Sequence, residues 1–369
     1  MTLGRSSRAV ASDAGYSLAE FLISMGIMTV VMGATMGGLA DVIKGNDAVL
    51  QMTGMNTSLR AGMDLIVRDL LQVGSGLPPG HVVTIANGAG SSRVKIPGPP
   101  GTNFLTPSGA AAIGAVIPQA GRGPTINGVA TDVLTVLMAD NTFLNVGTTE
   151  IGADFIAIAP GVDLAAGADR VSAGQLMMVM KGGLSILLEV TGVDLETRRL
   201  MFANGDALNL NQNAAASGTL VTLNNAAPAN SPAATNVSRV RMVTYYIDAT
   251  IDPKHPRLVR RINNGDPVDF DNESGTVVAL DIENLQLTYD ISNGTNNPGN
   301  VEMTTTDQGT GGACAPAACA ATQIRKVNVM LTGRSPNAVN KNLRVFRNSL
   351  QSQISLRGMA FVDEYRSTF

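Results

Sequence analysis

An uncharged run of twenty residues near the N-terminus, residues 21–40, constrains this chain more than any other feature. At about 1.5 Å of rise per residue, a helix of this length spans the roughly 30 Å of a bilayer core. Arg5 and Arg8 precede the run, and the Lys/Arg bias therefore predicts a cytoplasmic N-terminus and an exported remainder. A cleaved secretory signal is the alternative, but its apolar region would be shorter and followed by a small-residue cleavage motif. We predict one transmembrane helix.

Glu20 stands directly before this run. Ionisable groups cost several kcal/mol toward the bilayer centre, so a carboxylate at the start of a membrane span is a candidate functional group. The alternative is that Glu20 simply lies at the level of the lipid headgroups. The residues around it favour the first interpretation.

Residues 15–20 read Gly-Tyr-Ser-Leu-Ala-Glu. This stretch resembles the class III signal of type IV pilins and pseudopilins, in which a leader ending in Gly is cut before an aromatic residue and Glu is fifth in the mature chain. The resemblance implies cleavage between Gly15 and Tyr16 by a prepilin peptidase, with residues 1–15 as the leader. It also implies N-methylation of Tyr16 and pairing of Glu20 with the terminal amine of a neighbouring subunit during assembly. Tyr16 replaces the commoner Phe, and Ala19 replaces a larger aliphatic residue.

Beyond the membrane run, apolar residues recur every three or four positions, which is the period of a helix with one apolar stripe. The spacing predicts a single helix over residues 16–72, about 85 Å long, with its first half in lipid and its second half against a domain. An anchor followed by a separate short helix is the alternative, because Gly45 and Gly54 could interrupt the helix. The stripe consists of Met52, Met55, Leu59, Met63, Ile66 and Leu70.

Residues 73–369 form the predicted exported body, in which short β-branched runs alternate with Gly-, Pro- and Asn-rich segments. We therefore expect an α+β fold with a long N-terminal helix packed on a β-rich domain. Residues 98–128 and 204–236 contain few bulky apolar residues and are predicted surface loops. The predicted strands are residues 82–86, 132–138, 175–180, 185–191, 237–249, 257–262, 276–280, 284–291 and 323–332.

Residues 131–138, 175–194, 240–248, 257–263 and 279–291, in that order, resemble the successive body strands of PilW-type minor pilins, and residues 324–336 and 349–361 are similar to that family's C-terminal part. The resemblance implies a pilin-like fold and a subunit of the initiation or tip complex of a type IV pilus. Its partners would be other minor and major pilins, the prepilin peptidase, the inner-membrane assembly platform and lipid. It would lie in the inner membrane with its body in the periplasm, and then in the filament at the cell surface. A type II secretion pseudopilin of the J type is the alternative within the superfamily.

The two cysteines, Cys314 and Cys319, lie five positions apart in a Gly- and Ala-rich segment of the predicted exported body. Export permits oxidation, so we predict a disulfide that rigidifies a loop tip, with two free thiols as the alternative. With 2 Cys and 2 His in the chain, a zinc site of four cysteines is excluded. His81 and His255 are far apart in sequence, which does not fit a zinc-finger spacing.

Two charged clusters could bind ligands, although a solvated loop or strand face explains each of them as well. An acidic cluster could offer oxygen ligands to Ca²⁺, but its spacing does not fit an EF-hand. A basic cluster beside two tyrosines could contact DNA or anionic surfaces, or could be the wet face of a strand. The functional alternative outside the pilin superfamily is a membrane-anchored surface adhesin or DNA-binding module whose loops recognise a ligand. The acidic residues are Asp266, Asp269, Asp271 and Glu273; the basic ones are Lys254, His255, Arg257, Arg260 and Arg261, beside Tyr245 and Tyr246.

Catalytic motifs give no support for an enzyme. The sequence contains no G-x-S-x-G elbow, no H-E-x-x-H pair and no phosphate-binding P-loop. The formal net charge of -3 also gives no bulk attraction to nucleic acid. We expect a structural protein with no cofactor and no small-molecule substrate.

Overall fold

A computed structural model of the chain describes residues 17–78, 80, 82–87, 93–98, 102–106, 109–227, 232–264, 275–292, 297–303, 320–338 and 345–360. It has a long N-terminal helix followed by a strand-rich domain, so the predicted α+β class is confirmed.

The long helix, α1, is continuous over Leu18–Gln72 and contains 55 residues, which corresponds to about 82 Å. Ser17 caps its first turn. Its end coincides with Gly74 and Gly76, which have φ angles of 76° and 70°, a region that L side chains rarely adopt. The prediction of one helix is confirmed within this range. The alternative of two separate helices is wrong, because α1 runs through Gly45 and Gly54 without interruption.

In its described ranges, the body contains mostly short strands and two short α-helices, α2 at Leu220–Asn224 and α3 at Arg357–Ala360. The strands, in chain order, are β1 (Val82–Thr84), β2 (Lys95–Pro97), β3 (Asn103–Leu105), β4 (Ala112–Gly114), β5 (Val116–Gln119), β6 (Thr125–Ile126), β7 (Val129–Ala130), β8 (Val133–Ala139), β9 (Val146–Ile151), β10 (Phe155–Ile158), β11 (Leu176–Lys181), β12 (Leu184–Glu189), β13 (Gly192–Asp194), β14 (Arg199–Met201), β15 (Thr235–Asp248), β16 (Arg257–Ile262), β17 (Thr276–Leu280), β18 (Ile282–Ile291), β19 (Ile324–Arg334) and β20 (Arg347–Ser355).

The larger sheet is organised around β15, a fourteen-residue strand whose burial is almost complete. Successive parts of β15 pair in antiparallel register with β9, β11, β8 and β16. A second, three-stranded antiparallel sheet has the order β18-β19-β20. Only Asp281, with a φ of 56°, separates β17 of the first sheet from β18 of the second. The two sheets are therefore joined by a single residue.

The second half of α1 packs across both sheets. Leu59, Met63 and Ile66 are buried and share one apolar core with inward side chains of β8, β15, β18 and β19. Close approach is possible at Gly62 because a Cβ there would lie 2.9 Å from Leu258 Cδ2 and 3.2 Å from the Ala279 Cβ. The predicted stripe is therefore confirmed as the packing face from Met55 to Leu70, whereas Met52 is only partly buried.

All nine predicted strands are present, with ends that differ by no more than two residues in most cases. The predicted surface loops are wrong in part. Residues 98–128 contain β3 to β6, and β5 is buried because it pairs with β8 and extends the sheet. Residues 204–236 contain α2 and four buried leucines that fill two apolar clusters. A few apolar residues among many Gly, Ala and Asn were enough to bury these segments; the leucines are Leu208, Leu210, Leu220 and Leu223.

Candidate functional site

The first half of α1 is not covered by any other part of the chain that the structure describes. Every residue from Leu18 to Asp47 is exposed, whereas the buried helix residues begin at Met55. In the described part of the chain, α1 is the one helix that is long and apolar enough to cross a membrane. Large apolar side chains are exposed all around it, including Phe21 at 62%, Val30 at 73% and Val42 at 68%. A helix that is apolar on every side is stable when lipid or other helices surround it.

Glu20 lies in the first turn of this uncovered half. Its Oε2 accepts a hydrogen bond from the Ser17 backbone N–H at 3.0 Å, and the Ser17 Oγ accepts one from the Glu20 N–H at 3.4 Å. This reciprocal pair is a capping box, and its Ser-x-x-Glu signature could have been recognised in the sequence. Glu20 Oε1 accepts no hydrogen bond from the described residues and is open to an external donor.

Four glycines of the uncharged run, residues 21–40, have no packing contact with the other described residues. A Cβ built on Gly26, Gly33, Gly37 or Gly38 would have no atom within 4 Å. Each glycine destabilises a helix by about 1 kcal/mol relative to alanine. At these four positions, no contact with the other described residues offsets that loss. Glycines of this kind allow the backbones of neighbouring helices to approach closely.

A buried polar cluster fixes the packed half of α1 to the body. Asp69 accepts hydrogen bonds from Tyr245 Oη at 2.5 Å and from Arg260 Nε at 2.7 Å, and Arg260 Nη2 lies 3.3 Å from its other oxygen. Burial and the Asp69 carboxylate raise the pKa of Tyr245, which therefore stays a neutral donor. The sequence analysis missed this cluster. The available signal was the position of Asp69, three residues after Ile66, on the apolar stripe.

Four of the five basic residues have partners inside the fold, which does not fit the interpretation as a solvated strand face; Lys254 is exposed, and contact with DNA stays a prediction. Arg260 binds Asp69, Arg257 Nη2 lies 2.8 Å from Asp248, and His255 Nδ1 lies 2.7 Å from Asp281. Arg261 is buried and donates to the backbone oxygens of residues 98 and 264. Its neighbours Tyr245 and Tyr246 are also fully buried. The partners come from other strands and from α1, which a local charge pattern does not reveal.

Two buried carboxylates, those of Glu189 and Asp206, join β12 to the segment after β14. Glu189 Oε2 accepts a hydrogen bond from the Leu208 N–H at 2.9 Å, and Asp206 accepts from the Leu210 and Asn211 N–H groups at 2.7 and 3.0 Å. Burial, together with the nearby Asp206 carboxylate, raises the pKa of Glu189 to about 7. Glu189 therefore titrates near neutral pH, and the hydrogen bonds accepted by Glu189 and Asp206 anchor residues 206–211 to the sheet.

Several predicted site residues lie outside the described residues. They are Gly15 and Tyr16 at the cleavage position, Cys314 and Cys319, the acidic cluster of residues 266–273, and His81. Their predictions remain as stated. Among the residues that the structure describes, no group of three or more His, Cys, Asp or Glu side chains is placed to hold a metal ion.

No protein-family model, no curated protein and no solved structure matches this chain. Support for a function therefore comes from the uncovered half of α1, the carboxylate at its start and the body that holds its other half.

Proposed function

We propose that this chain is a minor pilin of PilW type, a subunit that enters a type IV pilus through the first half of α1 and belongs to its initiation or tip complex. The observation that carries the proposal is the uncovered apolar half of a continuous helix whose other half is fixed to a β-rich body. A pilin-like fold fits this architecture. The subunit acts by assembly rather than by catalysis.

In this proposal, the uncovered half of α1 is buried in two successive environments, first in lipid and then among the helices of other subunits. Leaving a large aliphatic side chain in water costs about 1.5–3 kcal/mol relative to burying it. Phe21, Leu22, Ile23 and Ile27 alone, each about 60% exposed, make this half incompatible with an aqueous surface. Lipid covers it in the precursor state, and neighbouring helices replace lipid in the filament. The four open glycines let those helices approach closely.

In this proposal, Glu20 fixes the axial position of the subunit relative to its neighbour in the filament. Among the described residues, its carboxylate is held by the cap at Ser17 alone. In an apolar layer, an unpaired carboxylate is costly, and a nearby cation compensates it far more strongly than in water. The amine released by cleavage before Tyr16 on a neighbouring subunit is such a cation. A subunit placed out of register would leave the Glu20 charge unpaired.

The body is exported and remains rigidly connected to the helix. The Asp69–Arg260–Tyr245 cluster and the shared apolar core hold the second half of α1 against both sheets. Movement of the helix out of the membrane therefore carries the body with it. Export also places Cys314 and Cys319 where a disulfide forms. The paired basic cluster leaves the DNA-binding alternative without its main support.

Filament incorporation tests this proposal. The wild type, Glu20→Ala and the control Asp47→Ala are expressed in cells with an active prepilin peptidase and pilus system, and filaments are sheared from the surface. Asp47 is an exposed carboxylate on the same helix, beyond the uncharged run. We expect the wild type and Asp47→Ala in the filament fraction and Glu20→Ala in the membrane fraction.

Equal amounts of all three variants in filaments would contradict the role of Glu20. Absence of the wild type from filaments would contradict the proposal as a whole. A deletion that stops protein secretion while pili remain would instead assign the chain to the pseudopilins.

A further inference from the structure

A shallow groove of about 360 Å³ crosses the outer face of the β18-β19-β20 sheet. The inner face of this sheet belongs to the apolar core, with Leu285, Leu287 and Val329 buried. The outer side chains form cross-strand rows. One row is Gln286, Met330 and Gln351, and the next is Thr288, Asn328 and Gln353. Adjacent strands lie about 4.8 Å apart, so the two rows cover roughly 10 Å across the sheet.

The orientation of the amides in this groove is fixed by their partners. Asp290 accepts hydrogen bonds from Asn328 Nδ2 at 2.9 Å and from Gln353 Nε2 at 3.0 Å. A carboxylate and a backbone carbonyl only accept, so each amide must direct its nitrogen toward them and its oxygen away. The same argument fixes Gln286, whose Nε2 donates to the Ala130 carbonyl at 2.8 Å.

The groove consequently presents hydrogen-bond acceptors without charge. The side-chain oxygens of Gln286, Asn328, Gln351 and Gln353 accept no hydrogen bond from the described residues. The nearest charges are Asp290 and Lys326, which lie 3.8 Å apart and offset each other. An ionic ligand therefore has no unpaired counter-charge among the lining residues.

We propose that this groove binds a neutral, hydroxyl-rich ligand, namely a saccharide chain. Its hydroxyl groups donate to the four side-chain oxygens and accept from the second amide hydrogens of Gln351 and Gln353. The Met330 side chain lies in the middle of the first row, where a polarizable apolar group can face the C–H side of a sugar ring. An extended peptide fits less well because it offers only one backbone donor per residue.

The saccharide groove does not depend on the filament proposal, since the groove lies on the body and no residue of α1 lines it. Binding without filament incorporation, or the reverse, is therefore a distinguishable result.

The test uses the full chain in lipid nanodiscs, because the headgroups of sugar detergents would compete for the groove. Saturation-transfer NMR titrations with maltohexaose, cellohexaose, an anionic oligogalacturonate and an uncharged Ser/Gln hexapeptide compare three proteins. These are the wild type, the double variant Asn328→Leu/Gln353→Leu, and the control Gln72→Leu, which replaces an exposed glutamine of α1.

We expect saturable binding of at least one neutral hexasaccharide by the wild type and by the control. Two lost hydrogen bonds at about 0.5–1.5 kcal/mol each weaken binding by about tenfold in the double variant. An increase in salt changes the affinity by less than about twofold, because no unpaired charge lines the groove. Binding of neither hexasaccharide, equal binding by the double variant, or binding of the peptide or the anionic sugar alone would overturn the proposal.

Discussion

Removal of the Asp69 carboxylate by Asp69→Ala should weaken the attachment of α1 to the body. Asp69 is 4% exposed and is the shared acceptor of the Arg260 guanidinium and the Tyr245 hydroxyl. Loss of one partner of a buried ion pair costs about 3–5 kcal/mol, because the remaining charge is left without compensation. The Tyr245 hydroxyl also loses its acceptor, which by itself costs about 1–3 kcal/mol. The two costs are not fully additive, because both groups lose the same carboxylate. We expect the free energy of unfolding to fall by about 4 kcal/mol.

Urea denaturation of the full chain in nanodiscs, followed by near-UV circular dichroism, measures this loss. The chain has 5 Tyr and no Trp, so the signal reports mainly on tyrosines. Three of them, Tyr245, Tyr246 and Tyr289, are fully buried in the body. The control Asp64→Ala removes an exposed carboxylate from the same helix and should change stability by less than about 0.5 kcal/mol.

A variant that removes the whole cluster distinguishes an uncompensated charge from a simple packing defect. Asp69→Leu/Arg260→Met/Tyr245→Phe leaves no stranded partner, and exchange of a buried ion pair for apolar groups is often neutral or stabilising. We expect it to recover most of the stability lost in Asp69→Ala. A loss below about 1 kcal/mol in Asp69→Ala, or a triple variant as unstable as the single one, would refute the reasoning.

Three further predictions concern other parts of the chain. The pKa of Glu189 is about 7 in the native state and 4.5 in the unfolded state, so the native state binds the additional proton between these values. The free energy of unfolding should therefore fall by about 3 kcal/mol as the pH rises from about 5 to 8. Glu189→Gln should flatten that slope in denaturation series, and an unchanged slope would assign it to other groups. Gly62→Val should destabilise the chain by about 2 kcal/mol in the same assay, because a Cβ at this position lies 2.9 Å from Leu258 Cδ2. Gly33→Ala should leave the stability of the body unchanged and reduce filament incorporation. Equal stability of the two variants would contradict this contrast. Ser17→Ala removes the cap of α1 and should speed backbone amide exchange in the first turn, by an amount equivalent to about 1 kcal/mol, with Ser58→Ala as an internal-helix control; unchanged exchange would show that the cap does not hold this turn.

The helix and the main strands could be predicted because their signals are local. The apolar period from Met52 to Leu70 marks the face that packs on the body, and the uncharged run of residues 21–40 marks the half without cover. The bounds of β16 and β17 are as predicted, because in each strand the β-branched residues lie in one short run that turn residues flank.

The missed features depend on partners that are distant in sequence. Asp69 meets Tyr245 and Arg260 across 176 and 191 positions, and no local pattern specifies such a pairing. The same limitation explains the basic cluster, whose alternation suggested a solvated strand although Arg257 and Arg260 bind buried carboxylates. The buried leucines of residues 204–236 were missed because their neighbours have loop composition. The capping box at Ser17 and Glu20, by contrast, was visible in the sequence.

The mass of the N-terminal peptide of this chain, taken from surface filaments, tests the central claim most directly. The account predicts a chain that begins at an N-methylated Tyr16, retains Glu20 five positions along, and is present in sheared filaments. Recovery of the chain only from the membrane, with residues 1–15 still attached in cells whose prepilin peptidase processes other pilins, would contradict it.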